Sequence, residues 1–274
     1  MPMLTVRDNT RLYYKDWGSG PAVFFSHGWP LNSDMWENQM MDLASEGYRV
    51  IAHDRRGFGR SDQPWHGYDH DTFSEDLSEI INALDLREVT LVGYAMGGGE
   101  ITRYIGRHGT DRISRIVLIG ATTPKLAWSD DYPNGVPEAV FDGVRAGLKA
   151  DRAEFIRGFS RLFFGADRDG ATVSEGSMMQ LHQIAMQSSL KAAHDSITAC
   201  AMTDYREDIK KFDDIPVLII HGEDDAFVPF GATGQQAIQL MPNSTLKVYE
   251  GAPHGLLFTH KDRLNNDLLT FIRQ

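Results

Sequence analysis

The stretch Val89-Thr90-Leu91-Val92-Gly93-Tyr94-Ala95-Met96-Gly97-Gly98-Gly99 reads as a buried strand, a very tight turn and the start of a helix. Strand and helix can meet that closely only if the residues flanking the turn are small, and Gly93 and Gly97 satisfy this. A serine at position 95 would complete Gly-x-Ser-x-Gly, the turn that lifts a nucleophile above a sheet. Alanine stands there instead. The competing reading is a phosphate-binding loop. It is disfavoured, because Gly97-Gly98-Gly99 lacks a following Lys-Ser/Thr and no Gly-x-Gly-x-x-Gly follows a first strand.

Outward from this turn the chain alternates strand and helix. Leu4–Val6 and Leu12–Trp17 flank Asp8-Asn9 and predict an antiparallel hairpin. Ala22–Ser26, Tyr48–His53 and Ile113–Ile119 are continuous apolar runs, as for strands covered on both faces of a parallel sheet. Helical spacing fills the gaps over Met35–Glu46 and Thr72–Leu84, the latter capped by Asp71 or Thr72. From Thr122 the alternation stops. Four helical runs follow, near Pro137–Lys149, Arg152–Phe164, Ser174–Gln187 and Leu190–Met202, with no strand between them. Strands resume at Ile215–His221 and Thr245–Tyr249, separated by a helix over Thr233–Leu240, and Lys261–Arg273 closes the chain as an amphipathic helix. The expected fold is α/β: a mostly parallel, doubly wound sheet from residues 1–121 and 214–274, with an α-helical cap inserted over 122–213.

Composition narrows the function classes. A net charge of −11 argues against a nucleic-acid backbone or an anionic membrane as partner. No apolar run approaches the ~18 residues of a membrane span, and Met1–Thr10 lacks a signal-peptide pattern. The single cysteine, Cys200, excludes an intrachain disulfide and fits a reducing, cytoplasmic setting. Its apolar neighbours make it a small core residue rather than a reactive thiol.

Three further segments would complete acyl-transfer chemistry around the turn. The strand ending at His221 runs into Gly222-Glu223-Asp224-Asp225, and a carboxylate at the carboxyl end of such a strand faces the functional crevice. Asp225 is the preferred acid and Asp224 the rival; a merely solvated acidic loop is the bland alternative. His254, in Gly251-Ala252-Pro253-His254-Gly255, is the base. Any one of ten histidines is by default a surface or capping residue, but the order turn, acid, histidine is the one this fold requires. The oxyanion hole needs two backbone N–H groups, which fall to Met96, after the turn, and Trp29, after His27-Gly28.

Together with Tyr14–Gly18, Ser26-His27-Gly28-Trp29-Pro30, Asp54–Pro64, Asp131-Tyr132-Pro133 and Ala252–Gly255, these segments resemble the cofactor-free bacterial haloperoxidase, aryl esterase and perhydrolase family of α/β-hydrolases over nearly the whole chain. The resemblance implies hydrolysis of small aryl and alkyl esters, opening of γ-lactams in some members, and peracid formation from a carboxylic acid and hydrogen peroxide, without metal, haem or other cofactor. It maps the family triad onto Ala95, Asp225 and His254, and it suggests a homo-oligomer. It also implies that Pro30, directly after Trp29, favours peracid chemistry by setting the Trp29 carbonyl to accept a hydrogen bond from peroxide; a plain loop proline is the alternative. Trp29, Pro30, Leu126, Phe159, Phe163, Phe227 and Val228 are expected to form a small apolar site for an ester, lactam or carboxylic acid.

Ala95 is the departure. Loss of a triad nucleophile costs about 10⁶-fold in kcat. The intact surroundings favour an engineered serine replacement over a natural, non-catalytic small-molecule-binding homologue, and both over an aspartate-nucleophile haloalkane or epoxide hydrolase. The chain is expected to bind its substrate and hardly turn it over.

Overall fold

The computed structural model describes residues 2–171, 173–212 and 215–274. Its framework is one eight-stranded sheet: β1 Met3–Thr5, β2 Arg11–Trp17, β3 Ala22–Ser26, β4 Arg49–His53, β5 Val89–Tyr94, β6 Ile113–Ile119, β7 Val217–Gly222 and β8 Thr245–Tyr249, in the spatial order β1-β2-β4-β3-β5-β6-β7-β8. β1 and β2 form the expected hairpin, β2 joins β4 antiparallel, and from β4 to β8 every pairing is parallel. Asn9, at φ 66°, turns the hairpin while its N–H donates to Val6 O.

The alternation of strand residues explains why both faces are covered. Val23, Phe25 and Val92 join one core with Met40 and Leu43 of α1 (Glu37–Ser45) and Leu264 and Leu268 of α11 (Lys261–Ile272). Their neighbours Ala22, Phe24 and Leu91 point the other way. They meet Leu77, Ile80 and Ile81 of α2 (His70–Ala83) and Ile101 and Ile105 of α3 (Met96–His108). Continuous apolar strands are what a two-sided sheet demands.

Between β6 and β7 lie α4 Glu138–Ala150, α5 Arg152–Phe164, α6 Glu175–Met186, α7 Leu190–Met202 and the short α8 Arg206–Ile209. The first four match the helical runs expected from sequence to within two residues; α8 was not anticipated. The chain then adds α9 Gly234–Leu240 and a single turn, α10 Leu256–Thr259, before α11. The 213/214 limit of the expected cap lies outside the described residues. Two local expectations are corrected. Residues 33–36 form a short 3₁₀ turn ahead of α1. The cap of α2 is Asp69, two residues before Asp71, with its carboxylate accepting the Thr72 N–H at 2.8 Å.

Candidate active site

The turn between β5 and α3 is as tight as its glycines imply. Ala95 sits at φ 49°, ψ −116°, a region that costs a non-glycine residue about 1–3 kcal/mol. A Cβ on Gly97 would lie 2.3 Å from Ser26 O, and one on Gly93 would lie 2.7 Å from Gly97 O. The backbones of β3, β5 and α3 therefore touch here, and only hydrogen fits between them. Surrounding structure holds the strained residue: the Ala95 N–H donates to Ile119 O at 3.0 Å, and Ala95 O accepts from Gly98 N–H at 3.0 Å.

Asp225 and His254 come from the loops after β7 and β8 and meet at 2.6 Å, His254 Nδ1 to Asp225 Oδ2. The other carboxylate oxygen accepts the N–H groups of Phe227 at 2.9 Å and Val228 at 2.8 Å. Burial raises the Asp225 carboxyl's pKa, but His254, His221 and the Val228 N–H outweigh it, so the group lies below the usual carboxylate range. An ionised carboxylate only accepts, so Nδ1 of His254 carries its hydrogen and Nε2 is left as the basic nitrogen. Tyr94 donates to His254 O at 2.8 Å. The rings of Tyr94, Phe163 and Phe227 pack around the imidazole at centroid separations of 4.8, 5.4 and 5.4 Å. Burial first, and then Asp225, push the Tyr94 phenol well above its ordinary value, so it stays a neutral donor. The rival acid Asp224 is exposed and pairs with Arg168 at 3.2 Å.

Ala95 and His254 open onto one apolar cavity of about 90 Å³, whose wall also includes Trp29, Met96, Leu126, Phe159, Phe227 and Val228. Trp29 and Met96 are the two residues whose N–H groups sequence reasoning assigned to an oxyanion hole. Met96 opens α3, so its N–H precedes the helical hydrogen-bond ladder and sits at the positive end of the helix dipole. The Trp29 ring is fixed by Nε1–H donating to Ala193 O of α7 at 2.8 Å.

Two expected lining residues are not in the wall. Phe163 is fully buried at the end of α5, where its ring packs on the edge of His254 and its carbonyl accepts the Gly255 N–H at 2.8 Å. Pro30 is buried in the loop behind Trp29. In their place α4, α5 and α7 supply Phe141, Val144, Phe155, Ile197 and Cys200. Helical spacing marks such residues as inward-facing but does not say whether they meet a core or a cavity. Cys200 is thus a half-buried wall residue rather than a filled core position, and burial pushes its thiol up to about 12. A roomier groove of about 270 Å³, with Arg157, Met178, Met179 and His182 in its wall, shares no residue with this cavity.

Among the described residues, no group of three or more His, Cys, Asp or Glu side chains is placed to hold a metal ion, and no helix is long and apolar enough to cross a membrane. What the site can do is proton transfer at His254 Nε2 beside an apolar cavity.

Known proteins share this arrangement of chain. A family model described as the alpha/beta hydrolase fold matches residues 21–261. A non-heme chloroperoxidase of Kitasatospora aureofaciens is 46% identical over 100% of both chains. A bifunctional esterase/perhydrolase of Acinetobacter calcoaceticus is 41% identical, again over 100% of both. The crystal structure of a bromoperoxidase from Bacillus anthracis superposes with a TM-score of 0.96 at 44% identity, covering 100% of this chain and 99% of that one. With its sheet order, its turn at Ala95 and these full-length likenesses, the chain belongs to the α/β-hydrolase fold family.

Proposed function

We propose that this chain carries the machinery of a serine-type carboxylic ester hydrolase with perhydrolase and cofactor-free haloperoxidase side activity, in which Ala95 occupies the nucleophile position and silences turnover. The observation that carries the reading is the buried 2.6 Å pair of Asp225 and His254 sharing one small apolar cavity with the strained Ala95.

With serine at 95, His254 Nε2 takes the hydroxyl proton as the oxygen attacks an ester carbonyl. The N–H groups of Met96 and Trp29 receive the oxyanion, and His254 returns the proton to the departing alcohol. Water then releases a carboxylic acid; hydrogen peroxide in its place releases a peracid, which oxidises halide. Asp225 holds the imidazole tautomer throughout. Among the described residues the cavity wall holds no lysine or arginine, so the preferred ligand is a small uncharged ester or lactam, or a carboxylic acid entering the peroxide reaction. The helices of 122–213 serve as the cap that closes this cavity. The acidic chain works in the cytoplasm as a homo-oligomer, without nucleic acid or membrane as partner. Pro30, behind Trp29, tilts the balance towards peracid.

The test is Ala95→Ser, assayed with p-nitrophenyl acetate and then for peracid from acetate and peroxide. Activity present only with serine, higher by about 10⁶-fold, supports the reading. Continued inactivity together with saturable binding of a small ester favours the alternative that Ala95 itself motivates, a non-catalytic binding homologue. Undiminished peracid formation in Pro30→Leu on the serine background would overturn the role given to Pro30.

A further inference from the structure

Directly beneath the site lies a charge cluster that the proposed chemistry does not use. Glu100, one turn into α3 from Met96, and Arg55, after β4, are both fully buried. Arg55 Nε donates to Glu100 Oε2 at 2.7 Å, and its Nη2 contacts the same oxygen. The same Nη2 reaches Ser26 Oγ at 2.8 Å and His27 O at 2.9 Å. Ser26 Oγ donates to Glu100 Oε2 at 2.8 Å. The Arg55 N–H donates to His27 Nε2 at 3.0 Å, which leaves the hydrogen on Nδ1, and that nitrogen donates to Gly28 O at 2.9 Å. His53 Nε2 stands 3.2 Å from the second Glu100 oxygen. Burial opposes the Glu100 charge, but Arg55 and His53 outweigh it and keep the carboxylate ionised.

Desolvating such a pair is expensive, and an apolar pair of similar size is often as stable or more so. Stability alone therefore does not account for it. Its position does. The pair ties residues 26–28, which lead directly into Trp29, to α3, which begins at Met96.

We propose that Glu100 and Arg55 are positioning residues that fix the separation and aim of the Trp29 and Met96 N–H groups, and so the oxyanion hole. The inference rests on the function proposed above. An oxyanion hole works only where donors sit about 2.7–3.1 Å from the developing charge. A clamp joining the two donor segments supplies that precision, and a close-packed apolar patch between the same segments would supply fold but not register.

The test is made in the full chain carrying Ala95→Ser. Arg55→Met with Glu100→Met removes both charges together and leaves neither stranded. The expected result is a thermal midpoint close to the parent, an unchanged KM for p-nitrophenyl acetate, a kcat lower by about 10²-fold, and an equal loss of affinity for a boronic acid transition-state analogue. Ser26→Ala keeps the ion pair and loses only one hydroxyl; it is expected to lower kcat by a smaller factor in the same pattern, and it decides the matter if the double variant does not fold. A folded double variant with parental kcat, or a Ser26→Ala chain whose loss lies in KM alone, would overturn the proposal. Absence of esterase activity in the Ala95→Ser parent would remove the functional reading and the clamp with it, so the two failures are told apart.

Discussion

Ala95 concentrates the strain of the site in one residue. Its positive φ of 49° belongs to a conformation that glycine adopts freely, so Ala95→Gly relieves strain at the cost of a floppier unfolded chain. The balance is a gain of about 1 kcal/mol, read from the urea midpoint. Ala95→Ser keeps the same strain and points one oxygen into the cavity; its stability is expected to match the parent within about 0.5 kcal/mol. The choice between adjacent acids shows what a sequence can reveal at this scale. Chain order located the acidic loop, but burial separated its members: Asp225 is 6% exposed and bonded to His254, while Asp224 faces solvent against Arg168. On the serine background, Asp225→Asn is expected to lower kcat by about 10⁴-fold through the wrong imidazole tautomer, measured with the same ester.

Elements were the most legible level, because strand and helix announce themselves by period. The four long helices between β6 and β7 stood out as 3.6-residue patterns, the central strands as apolar runs, and β1 and β2 by the Asp8-Asn9 turn between them. What escaped were single turns such as Arg206–Ile209 and Leu256–Thr259, too short to show any period, and the Asp69 cap, one of several polar candidates before Phe73. Asp69→Ala is expected to cost about 1 kcal/mol of stability by loss of the Thr72 N–H bond, seen in urea unfolding. Gly97→Ala is the severe change at this scale. Its methyl would be driven to 2.3 Å from the Ser26 carbonyl, which is backbone and cannot swing aside. Loss of several kcal/mol is expected, visible as a lowered thermal midpoint with far-UV helicity retained at low temperature.

The whole molecule carries its polar groups in places no local pattern discloses. Arg55 and Glu100 are 45 residues apart, and the sequence marked Asp54–Pro64 only as one of the segments that carry the family resemblance; their partnership emerges when β3, β4 and α3 are stacked side by side. The cavity walls from α4 and α7 were hidden for the same reason. Buried histidines give the molecule an acid-sensitive stability. His70 packs between Phe73 and Tyr205. Burial, assisted by Arg55, lowers its pKa from 6.5 to about 3, and burial lowers His27 in the same direction. The unfolded chain takes up these protons first. The stability contributed by the neutral His70 ring is therefore complete above about pH 6.5 and is lost as pH falls towards 3, at about 1.4 kcal/mol per pH unit. Neither nitrogen of His70 has a hydrogen-bond partner among the described residues, so His70→Phe strands nothing. Urea midpoints at pH 7, 6 and 5 are expected to fall less steeply for that variant than for the parent.

The indole of Trp29 adds a constraint on traffic. Its Nε1–H is fastened to Ala193 on α7 at 2.8 Å, while the Gly255 N–H beside His254 is fastened to the end of α5. Helices α5 and α7, over the cavity, are thus bolted to Trp29 on one side and to the segment carrying His254 on the other. On the function proposed, a guest large enough to wedge the cavity apart strains those bolts and, with them, Trp29 and His254. With serine at 95, size selection is then expected to show in kcat as well as in binding. Trp29→Phe on the serine background frees one bolt, and the ratio of kcat/KM for butyrate over acetate esters is expected to rise as the rate on acetate falls.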